Sequence, residues 1–393
     1  MRGALSRKLE GFGTTIFTEM TRLANERGAI NLAQGFPDFD GPDFAKDAAI
    51  AAIREGHGQY ARMTGLPEIH RALSEKYRRD YGLAYAADTE LTVCSGATEA
   101  IFAAIQGTCD AGDEVVLFEP WYDSYKASVV MAGAVPRTLR LHAPDWSFDR
   151  AEARRAFSAK TRVLLLNSPH NPTGKVFTRE ELEFLADLCR EFGTICVTDE
   201  VYEHLVYDRH GHVPMASLPE MRERTITISS FGKTFSLTGW KIGWAAAPPE
   251  LTGAVRAAHQ FITFATATPL QLGAAAALHA GPEYYAALAA EYLARRDYLV
   301  GALARIGFDV AAPAGTYFAC ADFRPFGFDD DRTFVRHLIE EVGVAAIPPS
   351  VFYADPSQSQ TYVRFAFCKK RETLEAAVER LGALAARRAG ARA

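Results

Sequence analysis

Thr225-Ile226-Thr227-Ile228-Ser229-Ser230-Phe231-Gly232-Lys233-Thr234-Phe235-Ser236-Leu237-Thr238-Gly239-Trp240-Lys241-Ile242-Gly243 joins a β-branched apolar run to a loop dense in hydroxyls, glycines and lysines. The run from Thr225 to Ser229 reads as a short buried strand, because β-branched side chains suit a covered, pleated surface. Lys233 follows within one turn of chain. Burial makes an ammonium costly, lowers its pKa and frees an amine nucleophile. Ser230 and Lys241 add a hydroxyl and a positive charge, which together suit a phosphate. A strand followed by a polar loop with two surface lysines is the plainer reading, and this segment alone leaves both open.

Working outward, further short apolar runs flank this one: Leu91 to Cys94, Glu114 to Phe118, Val163 to Asn167, Ile195 to Asp199 and Ile242 to Ala247. Helical patterns lie among them, including Thr98 to Thr108, Arg179 to Phe192 and Leu251 to Phe264. Apolar strands alternating with helices predict an α/β fold with a mostly parallel sheet covered on both faces. Ligands in such sheets collect at the carboxyl ends of the strands. Here those ends run into Ser95-Gly96-Ala97-Thr98, Glu119-Pro120-Trp121-Tyr122, the proline-rich loop around Asn171, Asp199-Glu200-Val201-Tyr202, and Ser230 to Lys233. From Pro282 to Ile306 a long Ala-rich helix is expected. Strands at Gly315 to Asp322, Val344 to Ile347 and Thr361 to Phe367 follow, with helices at Asp331 to Val342 and Lys370 to Ala386. That pattern predicts a smaller α+β domain, and Arg387 to Ala393 reads as a frayed tail.

Composition narrows the classes. A net charge of −5 over 393 residues argues against nucleic acid or an anionic membrane as partner. No apolar run is long enough for a membrane span, and Met1 to Glu10 lacks the apolar core of a signal peptide. Six scattered cysteines without a Cys-x-x-Cys pair read as reduced core thiols of a cytoplasmic protein. His210 and His212, in a polar loop without a further ligand at metal spacing, are expected to be solvated, and no metal site is predicted.

The chemistry-bearing residues combine into one reading. A lysine amine that attacks a carbonyl beside a phosphate cradle describes the holding of pyridoxal 5′-phosphate (PLP). Asp199 at a strand end would keep the cofactor's pyridine nitrogen protonated, and Tyr202 would reach the ring oxygen. Val201 and Tyr122 would lie against the two ring faces. Asn171 can donate an amide hydrogen to the ring oxygen or to a substrate carboxylate. Gly96-Ala97-Thr98 opens a helix whose free N–H groups and dipole suit an anion. In Tyr362-Val363-Arg364-Phe365-Ala366-Phe367, alternation puts Val363, Phe365 and Phe367 on one face. Arg364 then projects from the other, where its fork suits an α-carboxylate. For each residue taken alone, a capping, core or surface role is the simpler explanation.

The ordered set resembles the fold-type I, class I PLP-dependent aminotransferases, within them the methionine aminotransferase and kynurenine aminotransferase/glutamine transaminase K group. The matching stretches are Ile30-Asn31-Leu32-Ala33-Gln34-Gly35-Phe36-Pro37-Asp38-Phe39, Gln59-Tyr60, Ser168-Pro169-His170-Asn171-Pro172-Thr173-Gly174-Lys175, Asp199-Glu200-Val201-Tyr202-Glu203, the lysine segment, and Val363-Arg364-Phe365-Ala366-Phe367-Cys368-Lys369-Lys370. The resemblance implies a large domain, 47–284, with a mostly parallel seven-stranded sheet covered by helices, and a small α+β domain, 285–393. Residues 1–46 are then an N-terminal arm and part of the small domain. It implies PLP as cofactor, with Lys233 as the Schiff-base lysine, Asp199 on the ring nitrogen, and Asn171 and Tyr202 on the ring oxygen. Ala97, Thr98, Ser230 and Lys241 match phosphate contacts, Arg364 the α-carboxylate arginine, and Gly35 a backbone contact near that carboxylate. Tyr60 resembles a tyrosine that reaches the phosphate from the partner subunit of a homodimer. Phe17, Phe36, Tyr122 and Phe264 fall where the family lines a substrate pocket. Thr98 and Phe17 stand where kynurenine-active animal relatives carry tyrosine and tryptophan, which argues against kynurenine as main substrate.

The expected activity is transfer of the amino group of methionine, glutamine or aromatic amino acids to a 2-oxo acid, by a ping-pong mechanism. A cysteine-S-conjugate β-lyase or a kynurenine–oxoglutarate aminotransferase on the same residues is the alternative. A ligand-sensing domain of a transcription regulator needs a helix-turn-helix, for which no stretch is left before the pattern begins.

Overall fold

The structure of the protein, a computed structural model, describes residues 5–358 and 361–385. The expected tail, 387–393, and the last residue of the expected C-terminal helix, 386, lie outside the described residues. Among the described residues twelve strands occur in chain order: β1 Ile30–Asn31, β2 Leu91–Cys94, β3 Glu114–Glu119, β4 Val135–Arg140, β5 Thr161–Asn167, β6 Ile195–Asp199, β7 Thr225–Ser230, β8 Gly243–Ala246, β9 Asp309–Val310, β10 Phe318–Asp322, β11 Val344–Ala345 and β12 Tyr362–Ala366.

Seven of them form one sheet in the order β2-β8-β7-β6-β5-β3-β4. Only β8 runs against its neighbours; β3, β4, β5, β6 and β7 are parallel. The alternation of a strand between two covered faces is visible in the packing. Val115 and Leu117 enter the core on one face with Val163, Leu165 and Val197, whereas Val116 and Phe118 enter the other with Leu164 and Leu166. A second sheet, β12-β10-β9, is antiparallel, and β1 pairs in parallel with β11. Around these lies a separate core that holds Leu32, Ala33, Val363, Phe365 and Phe367 together with Tyr202 and Tyr317. All six cysteines are free and buried. No helix among the described residues is long and apolar enough to cross a membrane.

The helices Arg179–Phe192 and Pro282–Ile306 coincide with their periodic patterns. The first is fixed at its start by a capping box in which Thr178 and Glu181 satisfy each other's backbone N–H. Where the structure departs from expectation, the backbone gives the reason. The expected Leu251 to Phe264 helix lies at Pro249–Ile262, and Phe264 beyond it is left-handed with φ 68°. The strand expected from Gly315 begins only at Phe318, because Thr316 is left-handed with φ 64°. β4 carried no strand signal: it is an edge strand with Pro136, largely solvent-facing, and such a strand needs little apolar patterning. The helix expected over Asp331 to Val342 widens into a π turn at Leu338–Val342.

One buried ion pair fixes the turn that follows β6. Lys76 Nζ lies 2.6 Å from Glu203 Oε2, and both side chains are 2% exposed. Glu203 also accepts from Ser229 Oγ at 2.8 Å and from the Tyr81 hydroxyl. It therefore ties the Asp199–Glu203 turn to the end of β7 and to the helix Pro67–Tyr81. His212 is a correction: its ring is buried and its Nε2 lies 2.9 Å from Glu200 Oε2, because the loop folds back to partner a buried carboxylate; His210 is exposed as expected. Removing one partner of a buried pair leaves the other charge stranded. Lys76→Met is expected to cost about 3–5 kcal/mol in urea unfolding, and adding Glu203→Leu to recover part of it. An additive double variant would show that the two charges do not act as a pair.

Candidate active site

The carboxyl ends of β2, β5, β6 and β7, together with the segment after β1 and residue 364 of β12, enclose a cavity of about 360 Å³. Gly35, Phe36, Phe17, Ala97, Thr98, Tyr122, Asn171, Asp199, Val201, Tyr202, Ser230, Lys233, Lys241 and Arg364 all line it. Two predicted residues do not. Tyr60 and Phe264 lie outside the cavity on the surface, 86% and 47% exposed, with their rings edge to face at 5.6 Å.

Lys233 sits in the short helix Phe231–Thr234 that β7 runs into. Burial pulls its pKa down, Lys241 and Arg364 add repulsion, and Cys368 and Asp199 oppose the shift. Its Nζ lies 5.9 Å and 5.7 Å from the ring centres of Tyr202 and Tyr317. The arrangement keeps a nucleophilic amine at the cavity floor.

Asp199 closes β6 and is 5% exposed. Burial pushes its carboxyl up to about 6, against the Tyr125 hydroxyl, the Val201 N–H and Lys233, which favour the ionised form. The Tyr125 hydroxyl donates to Oδ2 at 2.6 Å, and the Val201 N–H to Oδ1 at 3.2 Å. Asn167 Nδ2 holds the Asp199 carbonyl at 2.8 Å, while Asn167 Oδ1 accepts the N–H of Asn171 at 2.7 Å. Tyr125 and Asn167 had no sequence signal of a role. Tyr125 lies on the helix Asp123–Met131, one turn beyond Tyr122, where an aromatic residue reads as core.

Arg364 is fully buried. One Nη donates to Asn171 Oδ1 at 3.0 Å and the other to the Ala33 carbonyl at 2.9 Å, while Nε has no partner. The Asn171 amide nitrogen is thereby left to face the cavity. Phe318 stacks under the guanidinium at 4.0 Å, with Phe17 and Phe352 at 5.4 and 5.6 Å. No carboxylate lies within ion-pairing distance of Arg364 among the described residues. A buried guanidinium without a counter-charge is costly, so this one is arranged for an anion that arrives from outside. Gly35 serves the same corner: a Cβ there would fall 2.6 Å from Phe318, and its carbonyl accepts the Tyr317 hydroxyl.

At the opposite wall the helix Gly96–Thr108 begins. Gly96 has φ 77°, and a Cβ on it would meet Lys241 Nζ at 3.3 Å, so its absence lets the lysine lie over the helix start. Ser230 closes β7 beside it. Free N–H groups, a hydroxyl and a lysine thus face one region, which fits a phosphate. Among the lining residues the cations are Lys233, Lys241 and Arg364, and Asp199 is the one carboxylate. The donor set fits PLP: an amine, a carboxylate for a ring nitrogen, an amide, a phenol and a phosphate cradle.

Comparison with known proteins agrees. Residues 27–381 match the model of the family described as aminotransferase class I and II. The probable N-succinyldiaminopimelate aminotransferase DapC of Mycobacterium tuberculosis is 47% identical over 97% of this chain and 98% of its own. Its solved structure superposes with a TM-score of 0.94, over 97% of this chain and all of that one. The methionine aminotransferase of Escherichia coli is 41% identical with a TM-score of 0.93, over 96% of this chain and 99% of that one. Kynurenine–oxoglutarate transaminase 3 of Mus musculus is 40% identical over 95% of this chain and 89% of its own length. The chain belongs to the class I and II aminotransferases, enzymes that work with pyridoxal phosphate.

Proposed function

We propose that the protein transfers the amino group of amino acids with neutral side chains, methionine, glutamine and the aromatic ones, to a 2-oxo acid in two half-reactions. The observation that carries this reading is the buried Arg364 without a carboxylate partner, in the same cavity as Lys233 and Asp199. PLP, when bound, supplies the carbonyl carbon that exchanges the amino group and a ring that draws electrons from the substrate's α-carbon. Arg364 and the Asn171 amide hold the α-carboxylate and so fix where the α-proton points. Lys233 Nζ, the amine of lowered pKa in the cavity, would take that proton as base and give it back as acid. Asp199 keeps a proton on the ring nitrogen. Ser230, Lys241 and the start of the helix Gly96–Thr108 hold the phosphate. The donor leaves as a 2-oxo acid, and an acceptor 2-oxo acid runs the same steps backwards.

The side-chain pocket is assigned to Phe17, Phe36 and Tyr122, with Phe318 beside the carboxylate. Phe264 and Tyr60 are assigned to a neighbouring copy's site, in a homodimer. Supporting this, Phe261 and Ile262 are exposed next to Phe264 and would be covered by a partner. A division at 47–284 and 285–393, with residues 1–46 as arm and part of the small domain, and a cytoplasmic location belong to the same reading. The buried free thiols agree with a reducing compartment. The N-succinyldiaminopimelate named for one relative carries carboxylates beyond the α-carboxylate. With Arg364 assigned to the α-carboxylate, Lys241 to the phosphate and Lys233 to the proton transfer, no lining cation remains for them.

Lys233→Ala is expected to abolish turnover while leaving part of the cofactor bound without covalent attachment, read from absorbance and from amino-acid turnover. Transamination at the parent rate would remove Lys233 from the mechanism. An unpaired carboxylate against a neutral lining costs several kcal/mol, whereas each buried methylene gains about 0.8 kcal/mol. Methionine and phenylalanine should therefore exceed aspartate and N-succinyldiaminopimelate in kcat/KM by at least about tenfold, a difference of only ~1.4 kcal/mol. Arg364→Ala should penalise all donors alike. Efficient use of aspartate, or a penalty confined to one donor, overturns this map.

Tyr125→Phe removes a donor that favours ionised Asp199, so the carboxyl rises further above its ordinary value. The acid limb of kcat/KM is expected to move up by about one pH unit, with a larger loss near pH 6 than near pH 8. A loss equal at all pH values would contradict this.

A further inference from the structure

His259 lies fully buried near the end of the helix Pro249–Ile262, away from the cavity lining. Both of its ring nitrogens are engaged: Nδ1 lies 2.8 Å from Glu99 Oε1, and Nε2 lies 2.9 Å from the Met63 carbonyl. A carbonyl only accepts, so Nε2 carries a hydrogen. Nδ1 faces a carboxylate, so a second proton lies between the two groups, and the pair reads as imidazolium and carboxylate. Burial lowers the imidazole's pKa, but the Glu99 bond and charge and the Met63 and Phe264 backbones outweigh it and hold the value above the ordinary one. The other oxygen of Glu99 accepts the N–H of Ser95 at 2.8 Å. Ser95 is the residue from which the Gly96–Thr108 helix starts.

The same histidine organises the far side. Its carbonyl accepts the N–H groups of Thr263 and Phe264, which sets the turn that presents Phe264 to Tyr60. Met63 belongs to the loop that carries Tyr60, and that loop is pinned to β2 by Val93 N–H on the Thr64 carbonyl at 2.8 Å. Cys94, Glu99 and His259 lie within 4.8 Å of one another through their polar atoms. With both ring nitrogens and both Glu99 oxygens in hydrogen bonds, they form a brace and not a ligand set. Facing the imidazole are Glu99 from the helix Gly96–Thr108 and Cys94 from β2, whose thiol burial pushes well up. Arg62 on the loop pairs with Asp88, and Arg256 on His259's own helix binds the carbonyls of Asp88 and Leu91.

We infer that His259 and Glu99 are positioning residues for the cofactor's phosphate: the protonated pair fixes Ser95, and with it the N–H groups of Gly96, Ala97 and Thr98, against the Tyr60 loop. This rests on the assignment of the phosphate to that helix start. The brace exists below the raised pKa of His259. Above it Nδ1 turns a lone pair toward Glu99, the bond is lost and the helix start loosens. Phosphate affinity should then fall as pH rises, although the phosphate's own charge is already complete.

The test compares binding of PLP and of pyridoxal, which lacks the phosphate, to the full-length protein freed of cofactor, from neutral to alkaline pH. Both ligands share the ring contacts and Lys233, so the ratio of their dissociation constants isolates the phosphate. In the parent protein the phosphate advantage is expected to shrink about tenfold across this range. Glu99→Ala should show the reduced advantage at every pH, with pyridoxal affinity within about twofold of the parent. Glu99→Gln still accepts from Ser95 and can donate to a neutral His259, so it should keep the advantage and lose its pH dependence. Equal weakening of both ligands in Glu99→Ala, or a parent ratio that does not move with pH, overturns the inference. Lys241→Gln separates the two levels: if it leaves the ratio unchanged, the phosphate assignment itself fails and the brace falls with it.

Discussion

The cavity gathers three cations against one carboxylate, and most of the local structure follows from holding them there. Like charges in a shared space repel, and burial adds a desolvation cost to Lys233 and Arg364. The protein manages this by different means. Lys233 can give up its proton, because burial and its cationic neighbours lower its pKa. Arg364 cannot, and is held instead by an amide oxygen, a backbone carbonyl and the face of Phe318. Lys241 reaches across the bare Cα of Gly96 at a rim open to solvent. What remains unbalanced is positive, and it complements a phosphate monoester and an α-carboxylate, the anions that PLP and an amino acid bring.

Such charges stay where they are only if the backbone does. The parallel sheet brings β5, β6 and β7 to a common edge, and buried hydrogen bonds lock what extends beyond it. Asn167 joins the end of β5 to the end of β6 and to Asn171. The Lys76–Glu203 pair joins the turn after β6 to Ser229 on β7. None of these atoms needs to touch a substrate. They convert loop residues, which are ordinarily mobile, into fixed points from which Asp199, Tyr202 and Lys233 project.

Strand and helix content was legible because each buried strand is a dense apolar run and each long helix has a clean period. The alternation in Tyr362 to Phe367 placed Val363, Phe365 and Phe367 in the core and Arg364 opposite, as the structure has them. The residues that line the cavity were legible mainly as an ordered set, since each motif alone has a simpler explanation. Tyr125 and Asn167 were not legible: their roles exist only through contacts 74 and 32 residues away. His212 was misjudged because the polar residues around it hid that the loop would return to cover Glu200. Tyr60 and Phe264 lie on the surface outside the cavity, and the pattern of one chain carries no signal of what faces them there. The edge strand β4 escaped because solvent on one side relaxes the demand for apolar residues.

The anchoring of Arg364 has a consequence for how the molecule comes into being. Arg364 is fastened to Ala33, 331 residues away in the chain, and among the described residues β1 pairs only with β11. A nascent chain therefore exposes its Ile30–Ala33 segment through almost the whole of synthesis before the matching surface leaves the ribosome. The central sheet, with its nearer pairings, can form meanwhile, whereas closure of the loop between the two ends must come last and at the greatest entropic cost. A truncated or stalled product would thus own the lysine and the aspartate but lack the buried guanidinium that completes the cavity.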